Sequence, residues 1–417
     1  NEKITNRGMP QEPYYENAFD EYYHTFRKNL GSDIKFQQNE HKVRLLLTYN
    51  NYIRAKETFY KNLTDLSEIL VQDVSMQDTS HFNLWMVKAI ISNDNSEKLN
   101  YQIGIDLNKQ NAKGSRMLET YQEKSNYALF SIIEYKVNDL ISLRPSVRLV
   151  HNTKYKAPVV PSINALFKWR KNKIRISYAK GFRAPDFKEL FFEFVDINHN
   201  IIGNELLTAE ESNNYNINTT ISKNILETKT ITDISIFYNN ITNKIDLINS
   251  SLESNQYSYF NIDNYATKGI SCRTNISTAN AEINFGISYI GRYNNLFNEY
   301  NIAKFNFSKE LNVSTLFQVG KKTKLNIFYK RTGKLPKFIL ENNNAIEIYS
   351  DAYDILDLSI NRRMYNDLII MTIGAKNIMN ITDINQSGNN NSVHSSNNNT
   401  TPVGFGRTFF TSLKFKI

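Results

Sequence analysis

The chain has 417 residues, 41% of them hydrophobic, and 50 Lys and Arg against 41 Asp and Glu, for a formal net charge of +9. Its mean hydropathy is −0.49, and its richest apolar stretch, Leu368 to Ala375, falls far short of the roughly 18 residues a spanning helix needs; a helical membrane protein is excluded. The basic residues are interleaved with acids and form no dense run, so the charge suits a solvated surface and lumen and not a nucleic-acid footprint.

Low hydropathy does not exclude a membrane β-barrel, in which only alternate residues face lipid. The single cysteine, Cys272, rules out an intrachain disulfide and a cysteine-based metal cluster, and is read as a small buried hydrophobe. The 25 Tyr and 25 Phe fit either interfacial girdles of a barrel or the general preference of strands for aromatics. No Pro-rich or Gly/Ser linker divides the chain, which predicts one large repetitive body. No secretory signal opens it, as expected of a mature chain or a fragment.

In chain order, residues 1–34 form a polar and aromatic segment holding Tyr14, Tyr15, Tyr22, Tyr23 and Phe26, expected as a loop or partial strand. From about Lys35 short alternating segments follow one another. Residues 59–73 suit a short helix, or a strand and turn. Tyr101, Ile103, Ile105 and Leu107 alternate with polar positions, the two-residue period of a strand. Ile141, Leu143, Pro145, Val147 and Leu149 alternate with Ser142, Arg144, Ser146 and Arg148. A face carrying two arginines cannot fill a dry core without partners, which predicts a wet interior.

The alternation continues through Ile174, Ile176 and Tyr178, through Ile234, Ile236 and Tyr238, and through Phe285, Ile287 and Tyr289. Leu356, Leu358 and Ile360 repeat it, and Phe409, Thr411, Leu413, Phe415 and Ile417 close the chain with it. Asn, Asp, Gly and Ser separate the segments. Some connections are short, such as Lys171-Asn172, and others long, such as 193–208 and the low-complexity 386–402. Short turns on one side and long loops on the other are the habit of outer-membrane barrels.

The strand opening at Lys173 leads into Phe182-Arg183-Ala184-Pro185, followed by Glu189-Leu190 and then by Gly203-Asn204-Glu205-Leu206-Leu207-Thr208-Ala209-Glu210. These two boxes resemble the signature of TonB-dependent outer-membrane receptors, with Glu205 where that family usually has Pro. Gly374-Ala375-Lys376-Asn377-Ile378 resembles a late-strand box, Tyr259-Phe260-Asn261-Ile262 another recurring stretch, and the final strand the one that barrel-assembly machinery recognises. The resemblance runs from about Tyr127 to the C-terminus. It implies family-motif residues Phe182, Arg183, Ala184, Pro185, Glu189, Leu190, Gly203, Asn204, Leu206 and Glu210.

The expected fold is therefore all-β: a transmembrane antiparallel β-barrel of the 22-stranded receptor type, residues 35–417, lacking the N-terminal plug and first strands. At roughly 20 to 25 residues per strand and connection, on the order of 16 to 20 strands are expected. An open barrel would leave two unpaired edges in lipid, so a fragment is not expected to transport by itself.

No enzyme motif is present: no nucleophile elbow, no His-Glu-x-x-His, no phosphate-cradling loop, no dinucleotide fingerprint. Glu189, Glu193 and Asp196 are read as a solvated loop and not as an acid/base pair. Arg183 is expected to brace the strand end, with Glu189 or Glu210 as partner. His199, between the two signature boxes, is the ligand-binding candidate, because haem-type receptors of the family carry a haem-binding histidine there and a neutral imidazole suits iron; the alternative is a hydrogen-bonded loop histidine. His394 is a weaker candidate of the same kind. No resident cofactor and no other metal site are expected.

The resemblance implies outer-membrane lipid, a small-molecule or metal-chelate ligand and, through a plug, the TonB energy-coupling complex as partners, in a Gram-negative outer membrane. The ligand would be a scarce, large nutrient such as a ferric siderophore, haem or cobalamin. The alternatives are a passive porin or a structural or adhesion barrel, and a soluble β-solenoid or propeller, which no fixed repeat period supports.

Overall fold

The computed structural model describes residues 2–6, 17–93, 96–117, 121–195, 200–249, 256–294, 305–341, 344–385 and 400–415. Among these, twenty-one strands join one sheet. Three are short and lie in connections, Glu68–Leu70, Glu193–Val195 and Asn200–Ile202. The other eighteen follow one another as an antiparallel meander, each paired with the next in sequence, from Glu2–Asn6 to Thr408–Phe415. No pairing joins the first of these strands to the last among the described residues. The fold is that of a receptor-type barrel wall.

Connections alternate strictly in length. Two-residue turns close the hairpins at Asn39-Glu40, Arg170-Lys171 and Leu226-Glu227, with Asn39, Arg170 and Leu226 at positive φ. On the opposite side the chain runs from Asn62 to Asp78, from Arg183 to Glu210 and from Lys376 to Thr408 before re-entering the wall. Short and long sides are thus separated by topology, because every antiparallel pair reverses the chain.

The two faces of the wall differ in chemistry. Ile176, Ile217, Ile236, Ile270 and Tyr289 are cross-strand partners in unbroken succession across five strands. Each is between 41% and 49% exposed, a continuous apolar row on the outward face such as a membrane barrel presents to lipid. Arg175, Ser177, Asn216, Asn218 and Ser235 occupy the alternate positions and face inward. Toward the long connections the apolar band ends at Tyr49 and Trp85, whose rings lie 4.2 Å apart. Just beyond it Asn51 donates to Asn83 (2.7 Å) and Asn83 to Asn111 (2.9 Å), a polar ladder in place of apolar side chains.

The inner face is polar and lines open space, as expected of a face with two arginines. Arg144 and Arg175 line a cavity of about 480 Å³ with Ser142, Ser146, Ser162 and Asn164. Arg148, on the same inner face, pairs with Asp106 at 3.0 Å. Among the described residues apolar core is correspondingly sparse, and its buried cluster sits at the long-connection end.

The structure adds detail at three places. The strand Asn17–Gln38 crosses position 34/35 without a break and pairs along its whole length with His41–Asn62, so no structural boundary falls there. Residues 59–73 resolve as strand and turn: the strand runs to Asn62, Asn62 and Asp65 cap the turn through Thr64 and Ser67 amides, and Glu68–Leu70 folds back on Phe59–Lys61. The long connection 193–208 contains its own hairpin, Glu193–Val195 against Asn200–Ile202.

Candidate functional site

The strand Asn172–Arg183 ends at the long-connection side, and Arg183 there stands opposite Glu210, the first residue of the next wall strand. Its guanidinium forks onto Glu210, Nε to Oε2 at 2.8 Å and Nη2 to Oε1 at 2.6 Å. Nη1 reaches both oxygens of Glu189 at 2.9 Å. Glu210 Oε1 also accepts from the Ile245 amide (2.7 Å), just past Asn243, which sits at positive φ in the neighbouring strand. One planar cation therefore ties together a strand end, a helix and a third strand, which the single point charge of a lysine would not do.

Between these anchors the chain folds into a compact wedge. Pro185 cannot continue the ladder, and Asp186 caps the short helix Phe187–Phe191. The cap is reciprocal: Asp186 Oδ1 accepts from the Glu189 amide and Glu189 Oε2 from the Asp186 amide, each at 2.8 Å. Phe187, Leu190 and Phe191 are buried with Ala112, Met117, Leu207 and Ile245, and Phe82, Tyr155 and Tyr259 close the rim of that cluster. Burial raises the Tyr155 phenol above its ordinary range, and the charge of Glu189 adds to the rise.

The second box locks onto the first. Gly203 donates to the Phe192 carbonyl (2.7 Å) and Asn204 to that of Glu189 (2.9 Å). A Cβ at Gly203 would lie 2.6 Å from the Leu190 carbonyl group, so only glycine admits this approach. Asn204 Nδ2 donates to the Tyr259 carbonyl, and Asn261 bonds both the amide and the carbonyl of Thr208.

Cations reach the wedge from the strand Tyr121–Lys136 and from the connections on either side of the neighbouring strands. Lys124 donates to the Pro185 carbonyl at 3.0 Å and lies over the Phe187 ring, 4.8 Å from its centroid. Lys154 lies over Phe191 at 4.7 Å and Arg116 over Phe194 at 4.5 Å. On the inner face nearby, Arg54 lies over Tyr23 at 4.4 Å and Arg27 over Tyr52 at 5.2 Å. The mouth is thus edged by guanidinium and ammonium groups held on aromatic faces.

Of the motif residues, Arg183, Pro185, Glu189, Leu190, Gly203, Asn204 and Glu210 come together in this wedge. Phe182 and Ala184 flank Arg183 at the strand end. Leu206 does not join: it is 89% exposed, and its neighbour Leu207, 3% exposed, fills the packed position instead. Glu189 is spent on Arg183, and Asp196 and His199 lie outside the described residues, as does His394. Among the described residues no group of three His, Cys, Asp or Glu side chains is placed to hold a metal ion. Sequence reasoning missed Lys124, Lys154 and Arg116, which lie 63, 37 and 78 residues along the chain from the rings they cover, Phe187, Phe191 and Phe194, and carry no local signal.

A barrel wall with a folded, cation-edged mouth on its long-connection side defines an outer-membrane receptor type. The chain matches the model of the TonB-dependent receptor-like β-barrel family over residues 1–380 and belongs to that family, which is one of outer-membrane transport receptors of Gram-negative bacteria and not of enzymes. The match begins at residue 1, well before Tyr127, so the whole N-terminal part is barrel sequence as well. No curated protein matches the sequence. Among solved structures it resembles the siderophore receptor PirA from Acinetobacter baumannii, at 13% identity and a TM-score of 0.69, over 96% of this chain and 63% of that one. It also resembles the ferric enterobactin receptor PfeA from Pseudomonas aeruginosa (13%, TM-score 0.63, 99% and 69%) and P. aeruginosa FpvA bound to pyoverdines (12%, TM-score 0.63, 96% and 56%). The chain thus spans less than two thirds of the length of the PirA and FpvA chains, and at these identities the likeness is one of fold.

Proposed function

We propose that the chain is the barrel portion of a receptor that binds a large, scarce nutrient at its long-connection mouth and passes it inward with energy from the TonB complex, delivered through a plug. The observation that carries this is the set of cations on aromatic faces at the inner mouth, Arg54 on Tyr23, Arg116 on Phe194 and Arg27 on Tyr52. Guanidinium groups offer forked donors to anionic oxygens, and ring faces offer flat apolar contact, a combination suited to a large anionic chelate. Among ferric siderophores, haem and cobalamin, the first suits it best; the similar solved receptors carry siderophores in their names. Haem ligation would fall to His199.

The test is titration of the detergent-purified chain with ferric enterobactin, haem and cyanocobalamin, read by quenching of its Trp and Tyr fluorescence. Saturable binding of the ferric chelate is expected, weakened about tenfold or more in R54Q/R116Q. Haem binding lost in H199A would move the assignment to haem. Saturable binding of none of the three, with steady ion conductance in a planar bilayer, would overturn the receptor assignment in favour of a passive porin.

A further inference from the structure

We propose that the inner face of the wall carries an anion-binding site near its short-turn end, in which Arg144 and Arg175 hold a multivalent oxyanion, carboxylate or phosphate, and Lys168 and Lys173 add charge beside it. The two arginines stand on the strands Ile141–Asn152 and Asn172–Arg183, with Val160–Trp169 between them. The register sets Arg144 opposite Asn164 and Arg175 opposite Leu166, the next inward residue of that middle strand. Both line the same cavity of about 480 Å³. One inward step closer to the turn, Lys168 and Lys173 are direct cross-strand partners. Leu143, Phe167, Ile174 and Ile176 take the alternate, outward positions, so the period of two commits all four cations to the inner face. The site is separate from the mouth: Arg175 lies eight residues before Arg183 on one strand, about 26 Å at 3.3 Å per residue.

Charge balance sets this corner of the inner face apart. Two inward cations elsewhere carry their own counter-charge, Arg148 with Asp106 at 3.0 Å and Lys330 with Glu310 at 3.4 Å. Arg144, Arg175, Lys168 and Lys173 make no ion pair, side-chain hydrogen bond or ring contact among the described residues, and all four are exposed. Glu134 is the one carboxylate in the cavity lining. Asp233, the next inward carboxylate past Lys173 and its partner Thr220, is already engaged: it accepts from Thr220 Oγ1 at 2.5 Å and stands opposite Arg273. Like charges directly opposite, as in Lys168 and Lys173, destabilise a strand pair. A multivalent oxyanion relieves that repulsion and matches the donors, because each guanidinium forks onto two oxygens and both keep all five N–H groups unspent. A monovalent anion would answer one arginine and leave the other. The same chemistry serves a free small anion or an anionic group on a larger molecule in the lumen, and competition separates the two.

The detergent-purified full chain is titrated calorimetrically with citrate, pyrophosphate and acetate at low ionic strength, and far-UV circular dichroism reports folding of each variant. Saturable binding of citrate and pyrophosphate at a single site is expected, with none of acetate. Citrate affinity should fall about thirtyfold in R144Q/R175Q and about fivefold in K168Q/K173Q. R144K/R175K should lie between wild type and R144Q/R175Q, since an ammonium keeps the charge without the fork. K330Q, which removes an inward lysine already paired with Glu310, should bind citrate as the wild type does. Equal citrate affinity in folded R144Q/R175Q would overturn the site. So would acetate bound as tightly as citrate, or no saturable binding of citrate and pyrophosphate, and both of these are read on the wild type alone. Displacement of bound citrate by ferric enterobactin would assign the site to an anionic group on a larger cargo, and citrate bound unchanged beside saturating ferric enterobactin to a free anion; either result upholds the site.

Discussion

Arg183 and Glu210 are direct cross-strand partners and also a forked ion pair, so the same two residues close the backbone ladder and the side-chain clasp at the entrance to the wedge. Glu189 joins from the helix as a second carboxylate on the same guanidinium. The Arg183 side chain is 43% exposed and both carboxylates are less than one fifth exposed, so solvent screens one half of the clasp and not the other.

Arg183→Lys keeps the charge and loses the fork. It should loosen the 184–208 wedge by about 1 to 2 kcal/mol, discounted for screening, with little effect on the wall. Faster protease cleavage within 184–208 at unchanged wall protection is the expected result; identical cleavage would show that the clasp does not hold the wedge.

Gly203→Ala forces a methyl against the Leu190 carbonyl group, 2.6 Å away, and backbone cannot yield as a flexible side chain can. About 1 to 3 kcal/mol should be lost locally. Hydrogen exchange at the Gly203 and Asn204 amides, which bond Phe192 and Glu189, should accelerate accordingly.

Lys124→Met keeps the stem that covers Phe187 but removes the donor to the Pro185 carbonyl and the charge over the ring. Leaving that buried carbonyl without its partner should cost about 1 to 3 kcal/mol. A fall in the wedge's resistance to protease, matched by Lys124→Arg only in part, checks it.

Ile236→Arg places a charge in the centre of the outward row Ile217–Ile236–Ile270, whereas Ser235→Arg adds the same charge on the inner face. The first should cost about 2 to 4 kcal/mol of insertion free energy and the second little. Folding yields into lipid vesicles compare them directly; equal yields would mean that this face does not meet lipid.

Leu226 sits in a two-residue turn at φ 52° and is fully exposed, so its side chain gains no contact in return for the left-handed backbone. Leu226→Asn should raise stability by up to about 1 kcal/mol, seen as slower unfolding in urea.

The sequence by itself determined the wall. Alternation at residues 101–107, 141–149, 174–178 and 283–289 has a period of two, and a pleated strand turns that directly into two faces of opposite chemistry. The two signature boxes were legible as a family resemblance, and the proline and helix cap at 185–186 also act locally, whereas the close approach of Gly203 to Leu190 is a contact between the two boxes. Only the tertiary structure decided the rest. Which leucine of Leu206-Leu207 is buried depends on Ile245 and Tyr259, in the next two strands of the wall. Lys124 from a wall strand, and Arg116 and Lys154 from connections, reach the Phe187–Phe194 segment, and a lone cation does not announce which ring it will cover. The outward row Ile176, Ile217, Ile236, Ile270 and Tyr289 likewise follows from register, because side-chain period tells which face a residue takes but not which residue of the next strand stands beside it.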